Sequence, residues 1–230
     1  MTSRSLCVAS PLSSDEIVRT GIRHTGDFAI TGTGDSPEWS LANTLAPTRV
    51  AGPNAYSTIF KLLYSETGIY FLAVCEDRAL TGAILPNFGD LYRSDVVELF
   101  LQPDEKTGLY FEIEFSPWGS TLPLLVVNNG VAFYGWLPFH YEGSRLIVCK
   151  ASQLESLDTF EIDCGGWIVE VFIPYALFEG VCIPPTLGTI WRGNLCRIDY
   201  DVPGTTRWSW ASKCGVEFHD YIHYEPLNFG

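Results

Sequence analysis

Short runs of alternating or unbroken apolar residues recur along the chain, separated by clusters of Gly, Pro, Asn and Asp. Side chains of a strand point to opposite sides of the sheet in turn, so a period of two marks a strand with one buried face. Thr58–Tyr64, the turn Ser65–Gly68 and Ile69–Val74 predict one hairpin. Asp95–Leu101 and Tyr110–Ser116 predict a second, joined by a loop that carries Pro103 and Gly108. Leu124–Asn128, Arg145–Lys150, Gly166–Ile173 and Ile190–Tyr200 read as further strands. Helical signal is confined to Ser13–Thr20 and Pro174–Phe178. Many short strands with regular turns predict an all-β fold, an antiparallel β-sandwich of jelly-roll or immunoglobulin-like layers with few short helices. No repeat or long linker divides the chain. One domain over residues 1–230 is expected, with 1–24 as an N-terminal segment packing on or flanking it.

Parity places side chains on faces. In Tyr110–Ser116, Phe111, Ile113 and Phe115 form an apolar side, and Tyr110, Glu112, Glu114 and Ser116 a polar one. In the preceding strand Val96, Glu98 and Phe100 share one side, and Val97, Leu99 and Leu101 the other. If the two strands pair with Glu98 on the polar side, one sheet face carries a row of carboxylates beside a phenol. Like charges placed opposite each other destabilise a sheet, so such a row calls for a cationic partner, a metal or a hydroxyl-rich ligand.

Composition narrows the partners. Apolar residues make up 47% of the chain, enough for a full core without covalent staples. The formal charge of −13 repels phosphate backbones and anionic lipid, so neither nucleic acid nor membrane is an expected partner. Seven cysteines, an odd number with no C-x-x-C pair, fit reduced thiols better than a disulfide framework. The N-terminus lacks the apolar core of a secretory signal, and a cytoplasmic location is expected unless a signal has been removed.

Motifs for nucleotide or acyl-transfer chemistry do not occur; Gly32-Thr-Gly34 is a turn. His219 and His223 have an H-x₃-H spacing but no evident third ligand, which leaves metal ligation open. Glu98 lies among apolar neighbours and needs a partner, which Arg93, Arg197 or a ligand could supply. Asp95 could contact a ligand or close the turn before its strand. Trp208 and Trp210 share a parity near the expected rim, whereas Trp118, Trp136, Trp167 and Trp191 read as packing residues.

Taken in order, Phe28–Trp39, Gly68–Asp77, Leu91–Leu101, Tyr110–Gly119, Gly166–Pro174, Trp191–Arg197, Trp208-Ser-Trp210, Phe218-His219 and Pro226–Gly230 resemble the family 9 carbohydrate-binding modules and their stand-alone relatives, DOMON-like β-sandwiches. The resemblance covers roughly residues 25 to 230, and its strongest element is the aromatic followed by Asp95-Val-Val-Glu98. It implies an antiparallel β-sandwich, an aromatic clamp for a terminal sugar, charged groups on its hydroxyls, and in many members bound Ca²⁺. Under it Tyr92 stands at the first clamp position, Glu98 at the hydroxyl-binding glutamate and Glu112 near a charged contact that is basic in the family. The second clamp falls to His219, His223 or Tyr224, none of which is the family's tryptophan.

The resulting expectation is non-catalytic binding of a carbohydrate or similar polar small molecule by Tyr92, Arg93, Asp95, Glu98, Glu112, Arg197, Trp208, Trp210 and His223. No cofactor is expected beyond the structural Ca²⁺ the resemblance implies. The alternative is a small-molecule cyclase, isomerase or hydratase on the same scaffold, with Glu98, Glu112, Arg197 and His223 as its first candidates. Whether the chain is an enzyme is left open at this point.

Overall fold

The computed structural model describes residues 21–138, 142–154 and 165–230. The helix expected at Ser13–Thr20 lies outside the described residues, as do Cys7 and Cys164. Thirteen strands are described: β1 (Gly21–His24), β2 (Thr48–Ala51), β3 (Thr58–Tyr64), β4 (Gly68–Glu76), β5 (Val96–Gln102), β6 (Leu109–Phe115), β7 (Thr121–Asn128), β8 (Phe133–Pro138), β9 (Val148–Leu154), β10 (Gly166–Pro174), β11 (Ile190–Asp199), β12 (Thr206–Ser209) and β13 (Glu225–Phe229). Helical geometry is limited, among the described residues, to short 3₁₀ turns. Tyr175–Phe178 is one of them, where the sequence pattern suggested a short helix.

All-β is therefore the fold class, but the hydrogen bonding does not divide into two separate sheets. One path runs β8-β7-β6-β5-β11-β13-β1-β3-β4-β10-β9, with β12 and β2 added beside β11. The join is β1. Its first half pairs parallel with β13 and its second half parallel with β3. Every other pairing between strands is antiparallel. The sheet thus wraps nearly closed around its apolar face. Gly21–His24, expected in a flanking segment, sits inside the strand order.

The inner face follows the parity read from sequence. Phe111, Ile113 and Phe115 of β6 meet Phe71 and Ala73 of β4 in the principal core. The Phe71 and Phe115 rings lie 5.4 Å apart, and Phe111 and Phe178 meet edge to face at 4.8 Å. Each such ring, fully buried, contributes roughly 1.5–3 kcal/mol. This core fixes β5 and β6, and so fixes what their other faces present.

Loops cover much of the outer surface. Phe28–Trp39 forms an irregular cover over β3, β4 and β10, burying Ile30 and Trp39 against Tyr70, Leu72 and Ile168. Glu170, fully buried on β10, anchors it by accepting hydrogen bonds from the Thr31 and Gly32 N–H groups at 2.7 and 2.6 Å and from Trp39 Nε1 at 2.8 Å. Local backbone groups are satisfied by a side chain in place of a ladder, which is why no strand forms there. A second cover, residues 210–224, lies over the outer face of β11, β5, β6 and β7 through Ala211, Cys214, Phe218 and Tyr224.

Candidate functional site

Pairing of β5 with β6 puts Glu98 directly opposite Glu114, and Glu112 opposite Phe100. All three carboxyls point to the outer face, away from Phe111, Ile113 and Phe115. The second cover closes over this row without filling it. Between them lies a cavity of about 370 Å³, lined by Tyr92, Glu98, Glu112, Glu114, Arg207 and His219, with Ile198, Val216 and Phe218 as its apolar wall. That volume falls within the roughly 300–1,000 Å³ of small-molecule sites.

The carboxyls are nearly inaccessible. Glu98, Glu112 and Glu114 are 3%, 3% and 2% exposed, and one oxygen of each can lie within 4.8 Å of the others. Oε2 of Glu112 and Oε2 of Glu114 accept no hydrogen bond from the protein. Burial pushes Glu98 up to about 8 and Glu114 up to about 9, and it drives Glu112 well above the ordinary carboxylate range. Mutual repulsion adds to the rise at Glu112 and Glu114, while the Arg207 charge opposes it at Glu98. At neutral pH the row is therefore largely protonated, so its O–H groups can donate as well as accept.

His219 forms part of the wall and is oriented from behind. Its Nδ1 lies 2.8 Å from the Tyr110 hydroxyl, its ring meets Phe100 edge-on at 5.5 Å, and Asn128 Nδ2 donates to its carbonyl at 3.1 Å. Burial lowers it to about 4, so the imidazole is neutral at pH 7, with Nε2 3.8 Å from Glu112 Oε1. At the other side Tyr92 is 36% exposed. Its backbone carbonyl accepts the Tyr200 hydroxyl, and the Arg93 guanidinium lies 5.4 Å from its ring centre.

Two further cavities among the described residues lack a comparable set of groups. The larger, about 490 Å³, is lined by Asp77–Leu80, Gln153, Leu154, Gly165 and Gly166. The other, about 380 Å³, is lined by Asn128, Gly130, Asp220 and Tyr221 and shares Glu217 and His219 with the carboxyl cavity. Size alone would favour the first. Convergent buried polar groups favour the carboxyl cavity.

No family model and no curated protein matches this sequence. Solved structures do. A "putative carbohydrate-binding protein" from Bacteroides uniformis ATCC 8492 superposes with a TM-score of 0.71 at 14% identity, over 91% of this chain and 98% of that one. A family 9 module from Caldicellulosiruptor kristjanssonii, solved with cellotriose, gives 0.60 at 18% identity, over 91% and 93%. The fold is that of a family 9 carbohydrate-binding module. A family 9 module from the same organism, solved with glucose, agrees, at 0.60 and 17% identity over 91% and 95%. At such identities the likeness establishes the family 9 fold alone.

Within that fold, Tyr92, Glu98 and Glu112 come together in the cavity. Of the three residues considered for a second clamp, His219 is in the wall. Tyr224 is buried beneath it, its hydroxyl donating to the Phe218 carbonyl at 3.0 Å, and His223 is half-exposed with Nδ1 2.7 Å from Asp220. Arg93 stays outside, paired with Asp90 at 3.1 Å. Asp95 is fully buried and accepts the Thr81 and Tyr200 N–H groups, which ties two loops to the start of β5. Burial raises it to about 7.

Arg197 points to the opposite face of β11, where it meets Asp199 at 2.6 Å, Asp77 at 3.2 Å and the Trp208 ring at 4.9 Å. Trp210 packs against the principal core. Sequence reasoning did not name Arg207, Val216 or Phe218 as lining residues. Arg207 stands opposite Ile198 in the β11–β12 register, a pairing visible only once β12 is recognised as a strand.

Proposed function

We propose that this protein binds a carbohydrate or similar polar small molecule, without converting it, in the cavity lined by Tyr92, Glu98, Glu112 and His219. One observation carries the reading: three buried carboxyls open into a sugar-sized space with a partly exposed tyrosine ring at its edge. A sugar hydroxyl both donates and accepts, and so does a neutral carboxyl; the C–H face of a sugar ring suits an aromatic plane. The solved family 9 modules with cellotriose and glucose support a sugar as the ligand class. Nothing among those structures supports the enzyme alternative.

Calorimetric titration with mono- and disaccharides tests the reading. Binding of at least one sugar is expected, weakened about 3- to 10-fold by Tyr92→Ala through loss of a ring contact of roughly 0.5–1.5 kcal/mol. No binding of any sugar up to about 10 mM, an interaction weaker than roughly −3 kcal/mol, would overturn it.

A further inference from the structure

The carboxyl cavity has one cationic side chain among its described lining residues, Arg207. Directly opposed residues share a face of the sheet, so pairing with Ile198 puts Arg207 on the cavity side of β12. Its side chain is half-buried, yet no carboxylate oxygen of the described residues lies within 4.0 Å of its guanidinium. Other arginines differ: Arg93 pairs with Asp90, Arg192 with Glu105, and Arg197 with Asp77 and Asp199. Arg207 thus brings five N–H donors in a rigid fork to the cavity with no acid at contact.

The acids around it do not answer its charge. Arg207 is near enough to Glu98 to lower it, but burial outweighs that pull, and Glu98, Glu112 and Glu114 are largely neutral at pH 7. Glu217, on the covering loop, is exposed and makes no ion pair with Arg207, and the His219 imidazole is neutral. A neutral row leaves an incoming anion unopposed, and its O–H groups can donate to ligand oxygens. The guanidinium fork matches a planar anion with two oxygens, held by two parallel charge-assisted hydrogen bonds. One guanidinium balances one charge. A carboxylate carries one, whereas a phosphate ester carries about 1.5 to 2 at pH 7, so the carboxylate is the better match. The chain's formal charge of −13 is largely screened beyond about 8 Å at physiological ionic strength, which leaves the decision to these local groups.

We propose that the cavity takes a sugar acid, a carbohydrate ring bearing one carboxylate, with that carboxylate on Arg207 and the ring hydroxyls toward Glu98, Glu112 and His219. The inference rests on the sugar reading above and narrows its ligand class. Full-length protein is titrated by calorimetry at pH 7 with pairs that differ only at C6: glucose and glucuronate, galactose and galacturonate, mannose and mannuronate. In at least one pair the acid should bind at least about 10-fold tighter, a difference of roughly 1.4 kcal/mol. In that pair Arg207→Gln should bring the ratio of the two affinities to about 1. Arg207→Lys, which keeps the charge and loses the fork, should leave it at about 3. The 6-phosphate of the same sugar should bind more weakly than the acid.

Should both variants fail to fold, the Nε–H resonance of Arg207 in the wild-type protein gives an independent reading. It should move on addition of the acid and stay in place with the neutral partner. Neutral sugars binding as tightly as their acids in every pair, or an acid preference that survives Arg207→Gln, would overturn the inference and leave the sugar reading in place. So would tighter binding of the 6-phosphate, or an Arg207 resonance unmoved by the acid. Failure of every sugar, acid or neutral, to bind up to about 10 mM would remove the sugar reading and this inference with it.

Discussion

Arg197→Met separates the two roles that arginine could have, ligand contact or buried counter-charge. The guanidinium is inaccessible, and it is the cation between Asp77 and Asp199. Burial raises Asp77 to about 6 even with Arg197 beside it, because desolvation outweighs the attraction. A carboxyl raised above its ordinary value of 3.8 contributes its full stability below that value and loses it as pH rises through 6. Removing Arg197 extends the loss further to the alkaline side. The added cost at pH 8 is about 3 kcal/mol, that of a buried carboxylate left without its counter-charge.

Loss of the contact with Trp208 adds about 1 kcal/mol, which brings the expected deficit at pH 8 to about 3–5 kcal/mol, the usual cost of orphaning a buried charge. At pH 5 Asp77 is already mostly protonated in the parent protein, so the deficit should shrink to about 1–2 kcal/mol. Urea unfolding at the two pH values measures both. Equal deficits at pH 5 and pH 8, or a variant as stable as the parent at pH 8, would refute the reasoning. Variant that remains folded should keep the parent's ligand affinity.

Gly108→Ala should lower stability by at least about 2 kcal/mol in chemical denaturation, because an added Cβ would stand 1.5 Å from the Asn128 carbonyl oxygen at the start of β6. Trp39→Phe removes the indole donor to Glu170 and should cost about 1–2 kcal/mol, with earlier proteolysis within residues 28–41 as the local sign. Cys75 and Cys196 are fully buried, with burial pushing Cys75 up to about 12 and Cys196 well above the ordinary thiol range. Iodoacetamide at pH 8 should leave both unmodified in the native protein and label both in guanidinium, as read by mass spectrometry.

The parts of this molecule most legible in the sequence are those with strict two-residue periodicity. Phe111, Ile113 and Phe115 separated cleanly from Tyr110, Glu112 and Glu114, and the structure keeps that separation. β1, β2, β12 and β13 were not foreseen because four- and five-residue strands carry too few alternations to stand out. β1 in particular is polar for half its length, yet it joins the two halves of the sheet by parallel pairing that no local pattern encodes.

At the site, Tyr92, Glu98 and Glu112 were within reach of motif and parity. The cavity's roof was not, since residues 210–224 pack by irregular contacts. Arg197 shows the limit of charge-based reasoning: an arginine near a carboxylate strand was assigned to the ligand, whereas its parity on β11, opposite to that of Cys196 and Ile198, sends it to the other face.

Chemical-shift mapping locates a ligand without assuming which residues hold it. Amide spectra of the protein titrated with a panel of mono- and disaccharides should move at Tyr92, along residues 96–100 and 110–114, and at 216–219. Shifts clustered instead around Asp77, Gln153 and Gly166, or spectra unmoved by every sugar at about 10 mM, would contradict the account.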